Sequence, residues 1–334
     1  MIGRFARRLG WSVFVLWGVV TLTFLVNYAL PGDPARVIAG PQARPADVAR
    51  IRQQLGLSRP LRAQYALFLA RLVHAGPRPG GRDSAHASCS AIGRLHVDLG
   101  MSYQQRMPVL KLLGDKLPAT ILLALAAMFV QVGIGVTAGT LAAMRRGTLV
   151  DHGVVSLTLL GVSAPTFLIG IALQFLFAYK LRWLPFDGLG RTLVERLVSV
   201  VLPALTLGLF GAAYYTRLVR DEVILQLEQD YVRTARAKGA QAARVLIYHV
   251  LRNTLLPLIT VIGLDFGTLV GGAIVTEKLF RWPGLGALSV DAVLERDGPV
   301  IMGTVIVAST AIILANLLVD LSYALLDPRT RHGR

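Results

Sequence analysis

The chain has 334 residues, of which 54% are hydrophobic and only 16% charged, with a mean hydropathy of +0.57 and a formal net charge of +16 at pH 7. Soluble domains carry about 25% charged residues, so this composition is typical of a membrane protein and excludes an ordinary soluble enzyme. The basic excess is spread along the chain and is not gathered in a compact soluble domain, which argues against binding of nucleic acid.

Six apolar runs are each long enough to cross a bilayer as a helix, which takes about 20 residues. They cover residues 9–30, 118–144, 153–179, 198–218, 255–276 and 300–326. Too many of these runs lack charges for them to be buried helices of a soluble protein. We therefore predict an all-α membrane protein with six transmembrane helices. The first run exceeds the apolar region of a signal peptide, about 7–15 residues, so we expect a retained anchor.

Arginines in the short connections predict the orientation. They precede the first run, separate the second from the third, and follow the sixth: Arg4, Arg7, Arg8, Arg145, Arg146, Arg329, Arg331 and Arg334. Basic short loops remain in the cytoplasm, which places both termini there. The loop 31–117 would then lie outside, and its arginines matter little because loops beyond about 60 residues are translocated largely regardless of charge.

The outer loop contains an insert, residues 75–94, that is rich in Gly, Pro, Ser and Ala. This composition predicts a mobile segment. It holds the only cysteine, Cys89, so no disulfide can form within the chain. His86, Cys89 and His96 could be proposed as metal ligands, but their scatter through a mobile segment favours no metal site.

Two smaller features bear on the third run. Pro165 lies within it and predicts a kink. Asp151 opens it and is expected to cap the helix.

A charged segment, residues 230–257, stands between the fourth and fifth runs and reads as helix, break, helix. Gly239 follows good helix formers, which predicts a left-handed C-terminal cap. The residues that we single out are Asp230, Tyr231, Arg233, Thr234, Ala235, Arg236, Ala237, Lys238, Gly239 and Arg244. Taken alone, such a segment is most often a solvated cytoplasmic loop.

This segment carries a resemblance. Tyr-Val-Arg-Thr-Ala-Arg-Ala-Lys-Gly at 231–239, Leu-Pro-Gly-Asp-Pro at 30–34 and Asn-Leu-Leu-Val-Asp at 316–320 resemble the permeases of ABC importers, in the dipeptide/oligopeptide/nickel group. The resemblance covers nearly the whole chain except 75–94. The broader superfamily has Glu-Ala-Ala where this chain has Arg-Thr-Ala at 233–235, so the subgroup fits better than the general pattern.

The resemblance implies a type I ABC-importer permease. Its parts would be an N-terminal segment with the first helix (1–30), an extracytoplasmic loop (31–117), a five-helix core (118–326) with a coupling loop (219–256), and a cytoplasmic tail (327–334). It further implies a second homologous permease, two ABC ATPases that grip the coupling loop, an extracytoplasmic substrate-binding protein, and a peptide in transit through the inner membrane. Nickel, glutathione or another small solute is the alternative cargo, and an autonomous secondary transporter or channel is the alternative class.

Catalytic signatures are missing from the sequence. A P-loop needs Gly-Lys followed by Ser or Thr, and no Gly-Lys dipeptide occurs. We therefore expect no catalytic residue and no cofactor on this chain, with ATP and Mg²⁺ bound by the partner ATPases.

Asp265 is the one carboxylate near the middle of an apolar run. Gly263, Gly267 and Gly271 recur every four residues and form a stripe suited to close helix packing. Asp265 is two residues from Gly263, about 200° around a helix, so it points away from that stripe. It cannot face lipid cheaply. We predict that it faces the translocation path, the alternative being a buried Asp satisfied by a polar neighbour on another helix.

Overall fold

The computed structural model describes residues 2–29, 33–40, 42–54, 56–75, 90–92 and 95–326. The N-terminal helices are α1 (Ile2–Ala29), α2 (Pro34–Ala39), α3 (Pro45–Gln54) and α4 (Leu61–Leu72). Three short strands follow, β1 (Val73–Ala75), β2 (Ser90–Ile92) and β3 (Leu95–Val97). The long helices begin with α5 (Val109–Met144), α6 (Leu149–Ser163) and α7 (Thr166–Leu173), the last continuing as a π-helix over Gln174–Lys180.

The second half of the chain is helical throughout. It contains α8 (Leu193–Ser199), α9 (Val201–Leu227), α10 (Asp230–Ala237), α11 (Ala242–Arg244), a π-helix (Val245–Leu251), α12 (Arg252–Val270), α13 (Ile274–Leu279), α14 (Leu285–Leu294) and α15 (Gly298–Leu326).

Within the described residues, four helical stretches are long and apolar enough to cross a membrane: Arg7–Asn27, Val109–Met144, Leu193–Leu227 and Gly298–Ser322. Two further pairs pass the same test but are bent, Leu149–Gly161 with Thr166–Lys180 by 101° and Ala242–Leu255 with Pro257–Val270 by 49°. If each bent pair is one span, the total is six, the number that the sequence predicts.

The bend in the third span lies at Pro165, as predicted. Helix α6 ends at Ser163, and Pro165 stands at the N-cap of α7 with φ −58° and ψ 135°. Proline disfavours the helical region for the residue before it, and Ala164 accordingly has ψ 127°. The run 153–179 is therefore two helices that meet at an angle.

Helix α5 begins earlier than predicted, at Val109 rather than at residue 118, so that Pro118 lies inside it. Its 36 residues would extend about 54 Å, well beyond a hydrocarbon core of about 30 Å. Residues 109–117 and the predicted span are thus one continuous helix. The apolar pattern could not show this, because it marks only the part that is apolar on all faces.

The chain divides into two compact units, and the first comprises Met1–Pro118 and Gly284–Thr310. Its core joins the start of α5 to α14 and the start of α15. The buried apolar side chains are Leu99, Val109, Leu112, Leu113, Leu285, Leu288, Ala292 and Val300. Buried Asp297 accepts hydrogen bonds from the Ser102 hydroxyl at 2.5 Å and from the backbone N–H of Gln104 at 3.2 Å. Burial, with the Asp297 carboxylate nearby, raises the pKa of Tyr103 to about 12, so this hydroxyl stays protonated at neutral pH.

A small antiparallel sheet in the first unit departs from the all-α expectation. Its order is β1-β3-β2, with Ala75 opposite Leu95 and Ser90 opposite Val97. The insert was predicted to be mobile throughout, but Ser90–Ile92 pairs as a strand because β3 offers it a free edge. Residues 76–89, 93 and 94 lie outside the described residues.

The second unit comprises Ala119–Pro283 and Ala311–Arg334. One core cluster gathers residues of α5, α9, α10, the Val245–Leu251 π-helix and α12: Met128, Ala143, Tyr215, Val219, Val223, Val232, Val245, Val250 and Leu258. Another surrounds buried Trp282, whose indole N–H donates to the Ala119 carbonyl at 2.9 Å. Completely buried Glu277 accepts a hydrogen bond from Thr120 at 3.1 Å.

Glycines allow the helices of this unit to approach closely. A Cβ at Gly267 would lie 2.9 Å from that of Ala315 and 3.0 Å from the Ile312 Cα, both on α15. A Cβ at Gly263 would overlap the side chain of Val319 on the same helix. The predicted glycine stripe of α12 is therefore confirmed as a packing surface at these two positions.

Candidate functional site

The predicted break at Gly239 is a left-handed turn that ends α10. Gly239 has φ +81°, and a Cβ there would meet nothing within 4 Å. The Ala240 amide donates to the Ala235 carbonyl at 3.1 Å and the Gly239 amide to the Arg236 carbonyl at 2.9 Å. These two bonds define a Schellman motif, in which glycine avoids the penalty of a left-handed Cβ. The predicted cap is confirmed.

Helix α10 buries one narrow face and exposes the rest. Val232 is completely buried in the core cluster, and Tyr231 and Ala235 pack beside it. The remaining residues singled out from the sequence are exposed: Asp230, Arg233, Thr234, Arg236, Ala237, Lys238, Gly239 and Arg244. The structure thus places these residues, apart from Arg244, on a basic, solvent-facing surface, which we call the α10 surface (Asp230–Gly239). Arg244 lies on α11.

Beyond α10 the chain returns toward the bundle through α11 and the π-helix Val245–Leu251. Val245 and Val250 are buried in the same cluster as Val232, whereas Tyr248 is exposed. The helix continues into α12 at Arg252. The α10 surface is therefore held between α9 and α12, the two spanning helices that flank it.

Asp265 on α12 lies at a junction of three helices. Its Oδ2 accepts a hydrogen bond from Gln131 Nε2 on α5 at 2.5 Å and from the Tyr215 hydroxyl on α9 at 3.2 Å. Gln131 and Tyr215 are buried, while Asp265 is half-buried. In this conformation the carboxylate is hydrogen-bonded to polar side chains on two other helices. This is the arrangement that the alternative interpretation, an Asp satisfied by a polar neighbour on another helix, describes. Contact between Asp265 and a translocation path stays a prediction.

Gln131 and Tyr215 were not singled out from the sequence. A Cβ at Gly211 on α9 would overlap the Gln131 side-chain oxygen, so this glycine leaves the space that the amide occupies. Gly135 on α5 likewise leaves space for Tyr215, because a Cβ at Gly135 would overlap the Cβ of Tyr215. Gln131 could have been found as the side-chain amide within the uncharged run 118–144. A polar side chain in a span usually has a hydrogen-bond partner on another helix.

Asp151 and Arg220 form a second interhelical contact, between α6 and α9. Arg220 Nε donates to Asp151 Oδ1 at 2.6 Å and Nη2 to Oδ2 at 2.9 Å. The side chains are 4% and 21% exposed, so water screens this pair little. The expectation that Asp151 caps the helix needs correction, because the N-cap is Thr148 and Asp151 lies in the first turn. It accepts the Gly147 amide at 2.9 Å, but its main partner is the guanidinium.

The candidate metal ligands fall largely outside the described residues. Among the described residues, no group of three or more His, Cys, Asp or Glu could hold a metal ion. His96 is buried in β3, and His86 and Cys89 lie outside the described residues.

The sequence matches the family described as binding-protein-dependent transport system inner membrane component over residues 135–332, and the N-terminal region of such components over residues 1–124. The chain belongs to this family. It is therefore a membrane permease component, and the predicted resemblance is confirmed. The family is one of transport permeases, so the role of the chain is transport rather than catalysis.

Individual relatives in this permease family match along their whole length. A putative peptide transport system permease protein of Brucella abortus is 39% identical over 335 residues, which are 99% of this chain and 100% of the relative. The di/tripeptide transport system permease protein DppB of Pseudomonas aeruginosa is 37% identical over 358 residues, covering 100% of both chains. The dipeptide transport system permease protein DppB of Escherichia coli K12 is 36% identical over 361 residues, again covering 100% of both.

Among solved structures, the MetNI methionine ABC transporter in an inward-facing conformation resembles the permease with a TM-score of 0.51 and 17% identity. The match covers 66% of this chain and 98% of that one. At this identity the likeness concerns the fold alone, and it confirms the predicted ABC-importer permease architecture.

Proposed function

We propose that this permease is the membrane subunit of an ATP-driven importer of dipeptides and oligopeptides. The observation that carries this proposal is the full-length similarity, 36–39% identity, to permeases named for peptide transport. Relatives matched only over the core would leave the cargo open, whereas here the outer region also matches. Nickel, glutathione or another small solute is the alternative cargo.

The α10 surface is proposed to dock on a separate ABC ATPase, which binds the ATP and Mg²⁺. Support comes from its geometry: one buried face anchors α10, and the exposed face carries Arg233, Arg236 and Lys238. A helix anchored on one side and charged on the other can transmit displacement from a partner to the bundle. ATP binding would move this helix and switch the path between inward-open and outward-open.

The remaining partners follow from the same proposal. A second homologous permease completes the translocation path, a second ATPase docks on it, and an extracytoplasmic binding protein delivers the peptide. Both termini lie in the cytoplasm, on the side of the α10 surface. Asp265 borders the path, where its carboxylate attracts the amino terminus of the passing peptide.

The test is uptake by the full complex in proteoliposomes, with the two permeases, the two ATPases and the binding protein. We expect ATP-dependent uptake of labelled dipeptide that requires the binding protein. Uptake of nickel or glutathione, without uptake of dipeptide, would show that this solute and not a peptide is the cargo. Uptake by this chain alone, without ATPase, would favour an autonomous transporter and contradict the proposal.

A further inference from the structure

A cleft of about 340 Å³ lies between α6 and α9, beside the Asp151–Arg220 pair. Its lining combines charged and apolar side chains, among them Arg217 and Asp221 on α9 and Val154, Val155 and Leu159 on α6. Such a mixed lining suits a ligand that has a charged group at one end and an apolar chain at the other.

Both helices change from apolar to charged at the level of this cleft. On α6 the apolar run 153–179 begins two residues after Asp151, and on α9 the run 198–218 ends one residue after Arg217. The charged part of the cleft therefore lies where the hydrocarbon core of the membrane meets the lipid headgroups. The apolar part extends into the core by about 12 Å, the helical rise over the eight residues from Asp151 to Leu159.

Arg217 and Asp221 lie one helical turn apart on α9 but do not pair with each other. Arg220 contacts both carboxylates of the cleft, Asp151 through two hydrogen bonds and Asp221 through Nη1 at 3.0 Å. The side chain of Asp221 is 60% exposed, so its contact with Arg220 is weak. Within the part of the chain that the structure describes, no carboxylate pairs with exposed Arg217. The cleft thus presents a free guanidinium beside a solvent-accessible carboxylate.

The surface of α6 next to the cleft is apolar. Leu159, which lines the cleft, is 56% exposed, and its neighbours Leu157 and Leu160 are 70% and 69% exposed. In a spanning helix, large exposed apolar side chains face lipid, whereas polar ones face the bundle interior or a water-filled path. The apolar wall of the cleft is therefore continuous with a lipid-facing surface, which favours a lipid over a peptide as its occupant.

We propose that this cleft is a phospholipid-binding site. The phosphate bonds to Arg217, whose planar guanidinium donates two parallel hydrogen bonds to such an anion, and an acyl chain packs against Val154, Val155 and Leu159. Basic pockets between spanning helices at the headgroup level are typical lipid sites.

The charges of the cleft also select the headgroup. Asp151 and Asp221 balance Arg217 and Arg220, so the formal charge of these four side chains is zero and an anionic lipid gains no net attraction from them. A zwitterionic headgroup with a primary ammonium, as in phosphatidylethanolamine, fits better, because the ammonium donates to Asp221 while the phosphate bonds to Arg217. This site goes beyond the proposed function and does not depend on which solute is transported.

Lipid retention by the purified complex tests the site. The complex is equilibrated in nanodiscs of phosphatidylethanolamine and phosphatidylglycerol in equal parts, released into detergent, and its bound lipids are counted by native mass spectrometry. Arg217→Gln removes the phosphate donor and Val154→Phe fills the apolar part of the cleft. Each variant should retain one phosphatidylethanolamine fewer than the wild-type complex.

The matched controls lie outside the cleft. Arg145→Gln changes an exposed arginine in the turn that precedes α6, and Leu157→Phe enlarges a side chain on the exposed face of α6. Both should retain the wild-type number of lipids. An unchanged count in Arg217→Gln would overturn the proposal. An equal loss in Arg145→Gln would also overturn it, because it would indicate diffuse attraction of lipid to basic residues.

Competition distinguishes the lipid from other ligands. Glycerophosphoethanolamine, the same headgroup without acyl chains, should leave the bound lipid in place, and so should a dipeptide. Displacement by the free headgroup would show that the site takes a soluble phosphate ester. Displacement by the dipeptide would show that the cleft belongs to the translocation path. Either displacement would contradict a lipid site.

A further measurement needs no substitution and so does not depend on the folding of a variant. Phosphatidylethanolamine with a photoreactive diazirine in its acyl chain is added to nanodiscs that hold the wild-type complex. Crosslinks, located by peptide mass spectrometry, should fall on the cleft residues Val154, Val155 and Leu159. Crosslinks on this part of α6 that are confined to Leu157 and Leu160 would show lipid around the bundle only and would refute the site.

Discussion

The Tyr215 hydroxyl on α9 donates a hydrogen bond to Asp265 Oδ2 on α12, 3.2 Å away. Gln131 on α5 donates to the same oxygen. Three spanning helices therefore meet at one carboxylate oxygen. An ionised Asp in the middle of a span costs about 2.5–3.5 kcal/mol on the insertion scale, and these two donors offset part of that cost.

The first prediction concerns access to Asp265. In a Cys89→Ser background, Asp265→Cys should react with a small water-soluble thiol reagent in the resting or the ATP-trapped complex, because a residue that borders the path meets water in one of them. Labelling is measured by mass spectrometry. Leu258→Cys, buried on the same helix, is the control that should stay unlabelled. Protection of position 265 from the reagent in both states would rule out that Asp265 borders the translocation path.

The second prediction separates hydrogen bonding from charge at the same position. Asp265→Ala leaves the buried donors of Gln131 and Tyr215 only the weak thioether acceptor of Met128, which should lower the free energy of unfolding by about 1–3 kcal/mol. Asp265→Asn keeps an acceptor oxygen and should cost less. Thermal unfolding of the purified complex in detergent measures both. Equal losses in the two variants would show that the carboxylate charge, rather than the acceptor, supports the junction.

The third prediction concerns Gly239, whose left-handed turn ends α10. Gly239→Val should uncouple ATP hydrolysis from uptake while leaving the complex in the membrane, because a β-branched residue is strained at φ +81°. Gly147→Val is the matched control, since that glycine also has a left-handed φ, +77°, with open space around it. Near-normal uptake by Gly239→Val, or an equal defect in Gly147→Val, would argue against a coupling role.

The fourth prediction concerns the Asp151–Arg220 pair. Arg220→Met removes the main partner of a buried carboxylate and should lower the free energy of unfolding by about 3–5 kcal/mol. The double variant Asp151→Leu with Arg220→Met removes both charges and should be more stable than Arg220→Met alone. A double variant no more stable than that single one would mean that the guanidinium acts mainly through packing.

The fifth prediction concerns the insert, which the sequence suggests is dispensable over 75–94. Because Ser90–Ile92 pairs with β3, the deletion is best confined to residues 76–89. Ala75 and Ser90 lie on opposite sides of β3 and are offset by two residues along it, so they are about 12 Å apart, and six glycines can extend about 20 Å. Uptake should be unchanged with such a linker. Loss of docking of the binding protein would identify the deleted segment as a contact.

Local features of the sequence were enough to predict the elements of the fold. Apolar runs of sufficient length gave the six spans, because a helix in lipid must be apolar along about 20 residues. Pro165 and Gly239 marked a bend and a helix end, since each residue restricts or frees its own backbone whatever surrounds it. The glycine spacing on α12 likewise predicted a packing face.

The partners of the polar side chains were decided only by the tertiary structure. Arg220 and Asp151 are 69 residues apart, Tyr215 and Asp265 are 50 apart, and Gln131 and Asp265 are 134 apart. Periodicity shows which face of a helix a residue occupies, but not which other helix that face meets. Arg220 was therefore visible in the sequence only as one more cytoplasmic charge, and Gln131 as an isolated amide, until packing of α5, α6, α9 and α12 placed each beside its carboxylate.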